Sequence, residues 1–401
     1  MLSLSIPKKR GEMRVDFLSA RAKELHQGAI RAMFDKSSTM TNVVNMGIGE
    51  PDMATPLEIC EAGNAALKAG DTHYTANAGT MACRKAVVAS KWLKSLNYDP
   101  ASEIIITPGA MGALALLIAV VVNPGDEVLI QDPEWLNYAS QVAFFGGVPV
   151  PVPAKAENNF VIEASEIEKR ITKKTKMLML NSPNNPTGCV IPLEQLKEIA
   201  EVVKKHDLLV SSDEVYSTLC YGCEAVSIST LPGMRERTIV INSLSKAFAM
   251  TGWRLGFAAG PAEIIKKMVP AQENISACAN ASAQAAAVYA LSHMELSDAI
   301  REVFVKRREY VLAELDKIEG IKYCVPRGGF YVFPDIRSFG LSSNDFCNRL
   351  LEQERLVTIP GSAFGDCGEG FIRMSYTCGG EDLAEAMRRF SRYCESLRRV
   401  K

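Results

Sequence analysis

Several things are missing from this chain of 401 residues, and each absence closes off a class of function. There is no charge imbalance: 45 Lys and Arg stand against 46 Asp and Glu, a formal net charge of -1 spread along the chain. A polyanion partner needs a basic patch or stripe, so nucleic acid is not expected as a ligand. There is no long apolar run. The longest, Ala113 to Val122, is well short of the roughly 18 residues that a membrane span needs, and it reads as a buried helix; no membrane association is expected. Histidine is scarce, at positions 26, 73, 206 and 293, and forms no cluster. His206, in Lys204-Lys-His-Asp207, suits a helix end, where a cation is favoured. No internal repeat, low-complexity tract or Pro/Ser-rich linker is present. A secretory signal is also absent: the run from Met1 to Arg10 puts its basic cluster after a very short apolar stretch, the reverse of such a signal, so a cytoplasmic location is expected.

Cysteine, by contrast, is plentiful at eleven residues, from Cys60 to Cys394. An odd, scattered set in a chain of this size does not make a disulfide framework, so these are expected to be reduced, buried, small apolar side chains. Cys220-Tyr-Gly-Cys223 has the C-x-x-C form, but with no second pair or neighbouring histidine it specifies no zinc site, and no metal is expected.

The length favours a large domain plus a smaller one, and 47% apolar with 23% charged residues is ordinary for a globular protein. From Arg14 to about Met46 the pattern is polar and helical, a leading arm in which Lys23 to Gly28 predicts a helix stopping at glycine. Pro56 to Gly70 has helical apolar spacing. Short β-rich runs then alternate with longer helical ones, at 103–107, 127–131, 149–153, 177–181, 208–212, 238–242 and 255–259. That alternation predicts an α/β fold: a three-layer large domain with a mostly parallel seven-stranded sheet covered on both faces. From about Glu295 a charged amphipathic stretch bridges to a C-terminal part with Gly328-Gly-Phe-Tyr-Val-Phe333, Phe371-Ile-Arg-Met-Ser375 and a final amphipathic helix from Asp382. The expected division is 1–48 as arm and part of the small domain, 49–294 as the large domain, and 295–401 as linking helix and C-terminal α+β small domain.

One stretch organises the rest. Ser243-Leu-Ser-Lys-Ala-Phe-Ala-Met-Thr-Gly-Trp-Arg-Leu-Gly256 follows the β-type run Thr238 to Asn242, which delivers Lys246 to a strand's carboxyl end, where ligands bind in open α/β sheets. A Schiff-base lysine needs a setting that lowers its pKa. Ser243, Ser245 and Arg254 offer hydroxyl and guanidinium donors for a phosphate. This stretch resembles the pyridoxal-phosphate attachment signature of class I/II aminotransferases, of fold type I and near the aspartate-aminotransferase-like subgroup. The resemblance runs from Asn45 to Ser375, and it implies that Lys246 carries pyridoxal 5'-phosphate as an internal aldimine.

Other motifs fall in the family's order. Thr107-Pro-Gly109-Ala110-Met111 is a small-residue turn opening a helix, whose N-terminal amides and positive dipole end make a phosphate site; the resemblance puts Gly109, Ala110 and Met111 at the phosphate cup. Trp135 matches the aromatic residue that stacks on the pyridine ring, and is also taken to border the substrate. Asn181-Ser-Pro-Asn-Asn185-Pro-Thr-Gly188 breaks regular structure, and its Asn185 would donate to the cofactor's phenolate oxygen and sense the substrate carboxylate. Asp213 is expected to be semi-buried and paired with the pyridine N–H, while Glu214 points away and Tyr216 donates to the phenolate oxygen. In Asn45-Met-Gly-Ile-Gly-Glu-Pro-Asp52 two glycines free the backbone to approach a ligand, and Gly49 would offer its N–H to the substrate carboxylate. Arg373 would grip that carboxylate through two parallel bonds. Tyr74 matches a tyrosine that reaches the neighbouring subunit's cofactor, which implies a homodimer.

The implied reaction is amino-group transfer between an L-amino acid and a 2-oxo acid through pyridoxamine phosphate, with 2-oxoglutarate and glutamate as one pair. The other substrate is aspartate, an aromatic or an aliphatic amino acid. Met111 stands where some relatives carry lysine, and Gln272 to Asn280 holds no arginine, which counts against aspartate; apolar Met111 and Met46 suit an apolar side chain. A C–S β-lyase is the alternative on the same scaffold, beside cyclopropane formation and decarboxylation. A non-catalytic pyridoxal-sensing regulator would need a DNA-binding module for which about 44 residues before Asn45 leave no room.

Overall fold

The computed structural model describes residues 17–23, 25 and 28–399. The basic cluster near the N-terminus, and Glu24, His26 and Gln27 within the expected arm helix, lie outside the described residues. Gly28 does not close a helix. It stands in extended conformation immediately before the helix Ala29–Ser38.

Among the described residues, twelve strands build three sheets. They are β1 (Val44–Asn45), β2 (Ile104–Thr107), β3 (Glu127–Asp132), β4 (Val148–Pro153), β5 (Thr175–Asn181), β6 (Leu209–Asp213), β7 (Thr238–Ser243), β8 (Gly256–Ala259), β9 (Tyr331–Val332), β10 (Leu356–Val357), β11 (Ile359–Pro360) and β12 (Ile372–Ser375). The seven expected strands form one sheet in the order β2-β8-β7-β6-β5-β3-β4, parallel except for β8, which runs antiparallel to both of its neighbours. The strand expected from Leu255 starts at Gly256, and the one expected to stop at Ser212 continues through Asp213.

At the sheet's edge, β4 reads Val-Pro-Val-Pro-Val-Pro. Val148 and Ala154 donate their N–H groups toward β3, so the even positions face the neighbour and Pro149, Pro151 and Pro153 take the outward ones. Proline is tolerated there because an edge needs no outward donor.

The apolar helix foreseen from Ala113 is part of Gly109–Val121. Its Ala113, Leu114, Leu117 and Ile118 pack with Val128, Ile130, Met177 and Ile241 on one face of the sheet. On the other side of the strands, Leu129, Leu178 and Val210 meet Leu196, Ile199 and Val203 of helix Leu193–Lys205. Among the described residues, no helix is long and apolar enough to cross a membrane.

A separate core lies around the three-stranded sheet β11-β12-β9. Helix Glu295–Leu315 reaches it through Ile300, Phe304, Val311 and Leu315, spaced along one helical face. Helix Gly380–Arg399 adds Leu383, Met387, Phe390 and Cys394. The leading arm contributes a strand as well as helix: β1 pairs in parallel with β10. A two-residue strand has no period of its own, which is why the arm's sequence does not disclose it.

The cysteines depart from expectation in part. All eleven are free, but only Cys83, Cys189, Cys347 and Cys394 are fully buried. Cys220 and Cys223 sit in a loop laid against Arg327 and Gly328. No group of three or more His, Cys, Asp or Glu stands together as a metal site among the described residues.

Candidate active site

Parallel strands in register put their carboxyl ends side by side. Asn181 at the end of β5 lies opposite Asp213 at the end of β6, and Asp213 lies beside Ile241 of β7, two residues before Ser243. The chain then turns into the short helix Leu244–Ala247, which aims Lys246 into a cavity of about 320 Å³. Lys246 Nζ donates to the Gly49 carbonyl at 2.6 Å and lies 5.7 Å from the Phe330 ring. Burial brings the amine down to about 8; the Glu50 carboxylate opposes the shift, and the Arg254 and Arg373 guanidiniums add to it.

One end of the cavity is built for an anion. The helix Gly109–Val121 presents its N-terminus, and Gly109 has φ +74°. A Cβ at Gly109 would sit 2.6 Å from Arg254 Nη2, and one at Gly256 would sit 2.6 Å from the Gly109 carbonyl carbon. Two glycines therefore let β8, the helix start and the guanidinium close up on one another. Arg254 takes φ +51° and anchors its Nη1 on the Thr251 carbonyl at 2.8 Å. Ala110, Met111, Ser243 and Ser245 border the same space.

The cavity's depth is lined by buried polar groups. Asp213 is 3% exposed, buried rather than semi-buried as expected. It accepts from Tyr138 Oη at 2.7 Å and from the Val215 N–H at 3.2 Å, and burial pushes its carboxyl up to about 6. Such a group is stabilised by a cationic partner. Glu214 does turn away, accepting from Ser212 and Ser227 hydroxyls, and burial raises it to about 7. Trp135 packs edge-on to Tyr138, with centroids 5.3 Å apart. Tyr216 meets the Tyr331 hydroxyl at 3.0 Å.

Arg373 arrives from β12. It is 1% exposed, with Nη1 on Asn185 Oδ1 at 3.0 Å and Nη2 on the Gly47 carbonyl at 2.5 Å. Its guanidinium lies between the Tyr331 and Phe364 rings, 4.6 and 4.9 Å from their centroids, and its Nε is buried without a partner. Since Asn185 turns its oxygen to Arg373, its NH₂ is the end left to serve the cavity. Gly49 lines the cavity too, but the contact it makes is through its carbonyl, to Lys246, rather than through the expected N–H.

Lys246, Asp213, Asn185, Tyr216, Trp135, Arg254, Arg373, Gly49, Ala110, Met111, Ser243 and Ser245 thus line one cavity, with Gly109 directly behind it. Tyr74 does not join them. It is 89% exposed, on a loop beside Asn280 and Ser282, outside its own chain's cavity. Tyr138 and Tyr331 carry no expected role. The available signals were the spacing of Tyr138, three residues after Trp135, and an aromatic run after a Gly-Gly pair.

These residues fit pyridoxal phosphate: a buried amine of lowered pKa, a buried carboxylate, an aromatic wall and a guanidinium at a helix N-terminus, with the orphaned Arg373 Nε left for a carboxylate. Comparison with known proteins agrees. The family model described as aminotransferase class I and II matches residues 41–390. The aromatic-amino-acid aminotransferase 2 of Thermococcus litoralis is 40% identical over 96% of this chain and 100% of its own length. An aspartate aminotransferase of Pyrococcus abyssi is 41% identical over 94% and 97%. A solved structure titled Pyrococcus protein-A1 superposes with a TM-score of 0.91, at 41% identity over 95% of this chain and 99% of that one.

Proposed function

The chain belongs to the class I and II aminotransferases, which are pyridoxal-phosphate-dependent transferases, and from that premise we propose that it moves the amino group of an aromatic, aliphatic or acidic L-amino acid to a 2-oxo acid, with glutamate and 2-oxoglutarate as one pair. The observation that carries this reading is the placement of Lys246 between two guanidiniums in one cavity, Arg254 at the anion end and Arg373 at the other.

The cofactor, when bound, supplies an aldehyde carbon for the amine and a ring that withdraws electrons from the substrate's Cα. The protein does the rest. Lys246 would hold the cofactor at that carbon, and its Nζ would take the substrate's α-proton and give it back. Its lowered pKa keeps a useful fraction of the amine neutral near pH 8. Asp213, steadied by Tyr138, would hold a proton on the ring nitrogen. Asn185 and Tyr216 would donate to the ring oxygen, Trp135 would cover the ring, and Gly109, Ala110, Met111, Ser243, Ser245 and Arg254 would receive the phosphate. Arg373 holds the substrate carboxylate, with Gly49 beside it.

The three cations of the cavity, Lys246, Arg254 and Arg373, are then all engaged. Among the described residues of the cavity a distal carboxylate would find hydroxyl and amide donors, so an apolar or aromatic side chain against Met111 and Trp135 is preferred over aspartate, although the relatives include both kinds. The Thermococcus and Pyrococcus abyssi relatives are both named aminotransferases, which does not favour the C–S β-lyase alternative. A cytoplasmic homodimer completes the reading: the exposed Tyr74 serves the partner's site across the interface.

Purified protein should show a visible absorbance that Lys246→Ala abolishes; its retention in that variant sinks the reading. Bleaching of that absorbance by single amino acids, with a 2-oxo acid product, identifies the donor.

A further inference from the structure

Tyr216 has one hydroxyl proton and a hydroxyl neighbour, Tyr331, that competes for it. Its Oη lies 3.0 Å from Tyr331 Oη, and either can be the donor of that bond. On the proposed function, on which this inference rests, Tyr216 must give its proton to the cofactor's ring oxygen. The bond to Tyr331 then has only one possible direction, with Tyr331 donating and Tyr216 accepting.

Tyr331 is built to hold that role. It is fully buried on β9, in register with Ser375 of β12. Its ring lies edge-on to Tyr216 at 5.8 Å and under the Arg373 guanidinium at 4.6 Å. Gly49 leaves room for its hydroxyl, since a Cβ there would overlap Tyr331 Oη. A guanidinium beside a phenol makes it the better donor: burial raises Tyr331, and Arg373 pulls it back, as does the hydroxyl contact with Tyr216. Tyr216 is held well above its ordinary range, by burial first and then by Tyr331. Donors chained in a dry site strengthen one another.

We propose that Tyr331 is a positioning residue that commits the Tyr216 proton to the cofactor's ring oxygen and thereby sets the pH at which the bound cofactor's visible absorbance titrates. The site thus has a relay running Arg373, Tyr331, Tyr216, from the group that holds the substrate to the group that tunes the cofactor.

The test is the pH titration of the visible absorbance of the holoenzyme in Tyr331→Phe, Tyr216→Phe and the double variant. The charged groups facing Lys246, which are Glu50, Arg254 and Arg373, are kept in all three, as are Asp213 and Tyr138 behind Tyr216. Tyr331→Phe should move the midpoint upward by about half a pH unit, the worth of one buried hydroxyl bond. Tyr216→Phe should move it further in the same direction, and the double variant should match Tyr216→Phe alone. Phenylalanine keeps a ring under Arg373, so KM for the amino acid should change less than twofold. An unchanged midpoint in Tyr331→Phe overturns the proposal. So does the same increment on top of Tyr216→Phe, and so does a raised KM at a fixed midpoint, which would make Tyr331 a support for Arg373 alone. A wild-type holoenzyme with no visible band fails the cofactor reading itself, a result separable from all of these.

Discussion

The two sides of the cavity are held in place by different means. On the seven-stranded side, Asp213, Asn181 and Ser243 stand where they do because parallel strands in register end together, and Lys246 follows within one turn of β7. On the three-stranded side, position comes from cross-bonding. Arg373 leans on Asn185 and Gly47, the Ser375 and Thr377 hydroxyls take the Ile48 carbonyl, and Arg307 pins Asp52 through two bonds of 2.8 and 3.0 Å. The first arrangement is backbone-determined and should tolerate little change. The second is a set of side-chain contacts, and on the proposed function its Arg373 would hold the substrate. A family that keeps one cofactor and varies its amino acids is served by that separation.

Substitution can break the separation or sharpen it. The largest effect is expected for Asp213→Asn: kcat should fall about a thousandfold, the scale of a lost electrostatic partner in a dry site, while KM barely moves. A matching rise in KM would tie the two sides together. Arg373→Ala should lower kcat/KM about a hundredfold, mostly through KM, and keep the visible absorbance; loss of the band would show that the substrate side also holds the cofactor. A smaller and graded effect is expected on the sheet side. The rate at which the cofactor-free protein takes up pyridoxal phosphate should rise about tenfold per pH unit up to about 8, where the Lys246 amine becomes mostly neutral, and level off above it. A rate still rising tenfold per pH unit between pH 8 and 10 would refute the lowered amine.

The smallest effect concerns Glu214, raised by burial from 4.5 to about 7. A folded-state pKa above the unfolded one costs nothing below about 4.5, removes stability as pH rises toward 7, and stays unfavourable beyond. Glu214→Gln should therefore raise Tm by about 2 °C at pH 8 and leave it unchanged at pH 4. An equal change at both pH values would trace the effect to packing.

The same contrast governs what could be read in advance. The strands of the large sheet and the residues at their ends were legible, because alternating elements and Pro- or Gly-marked turns are local patterns; Lys246, Asp213 and Asn185 all stand at such ends. Gly49's carbonyl contact, the β1–β10 pair and the Tyr331–Tyr216 bond were not. They join residues 197, 312 and 115 positions apart by shape and hydroxyl direction, which leave no periodic trace. The depth of Asp213 was underestimated because a carboxylate normally ends near water, and here Tyr138 substitutes for it.

The prolines of β4 reach beyond the active site. A sheet edge recruits strands through its outward N–H groups, and here three successive outward positions have none to give. A strand added along this border would lack three of the N–H donors that it would otherwise take from β4, which disfavours edge-to-edge pairing there.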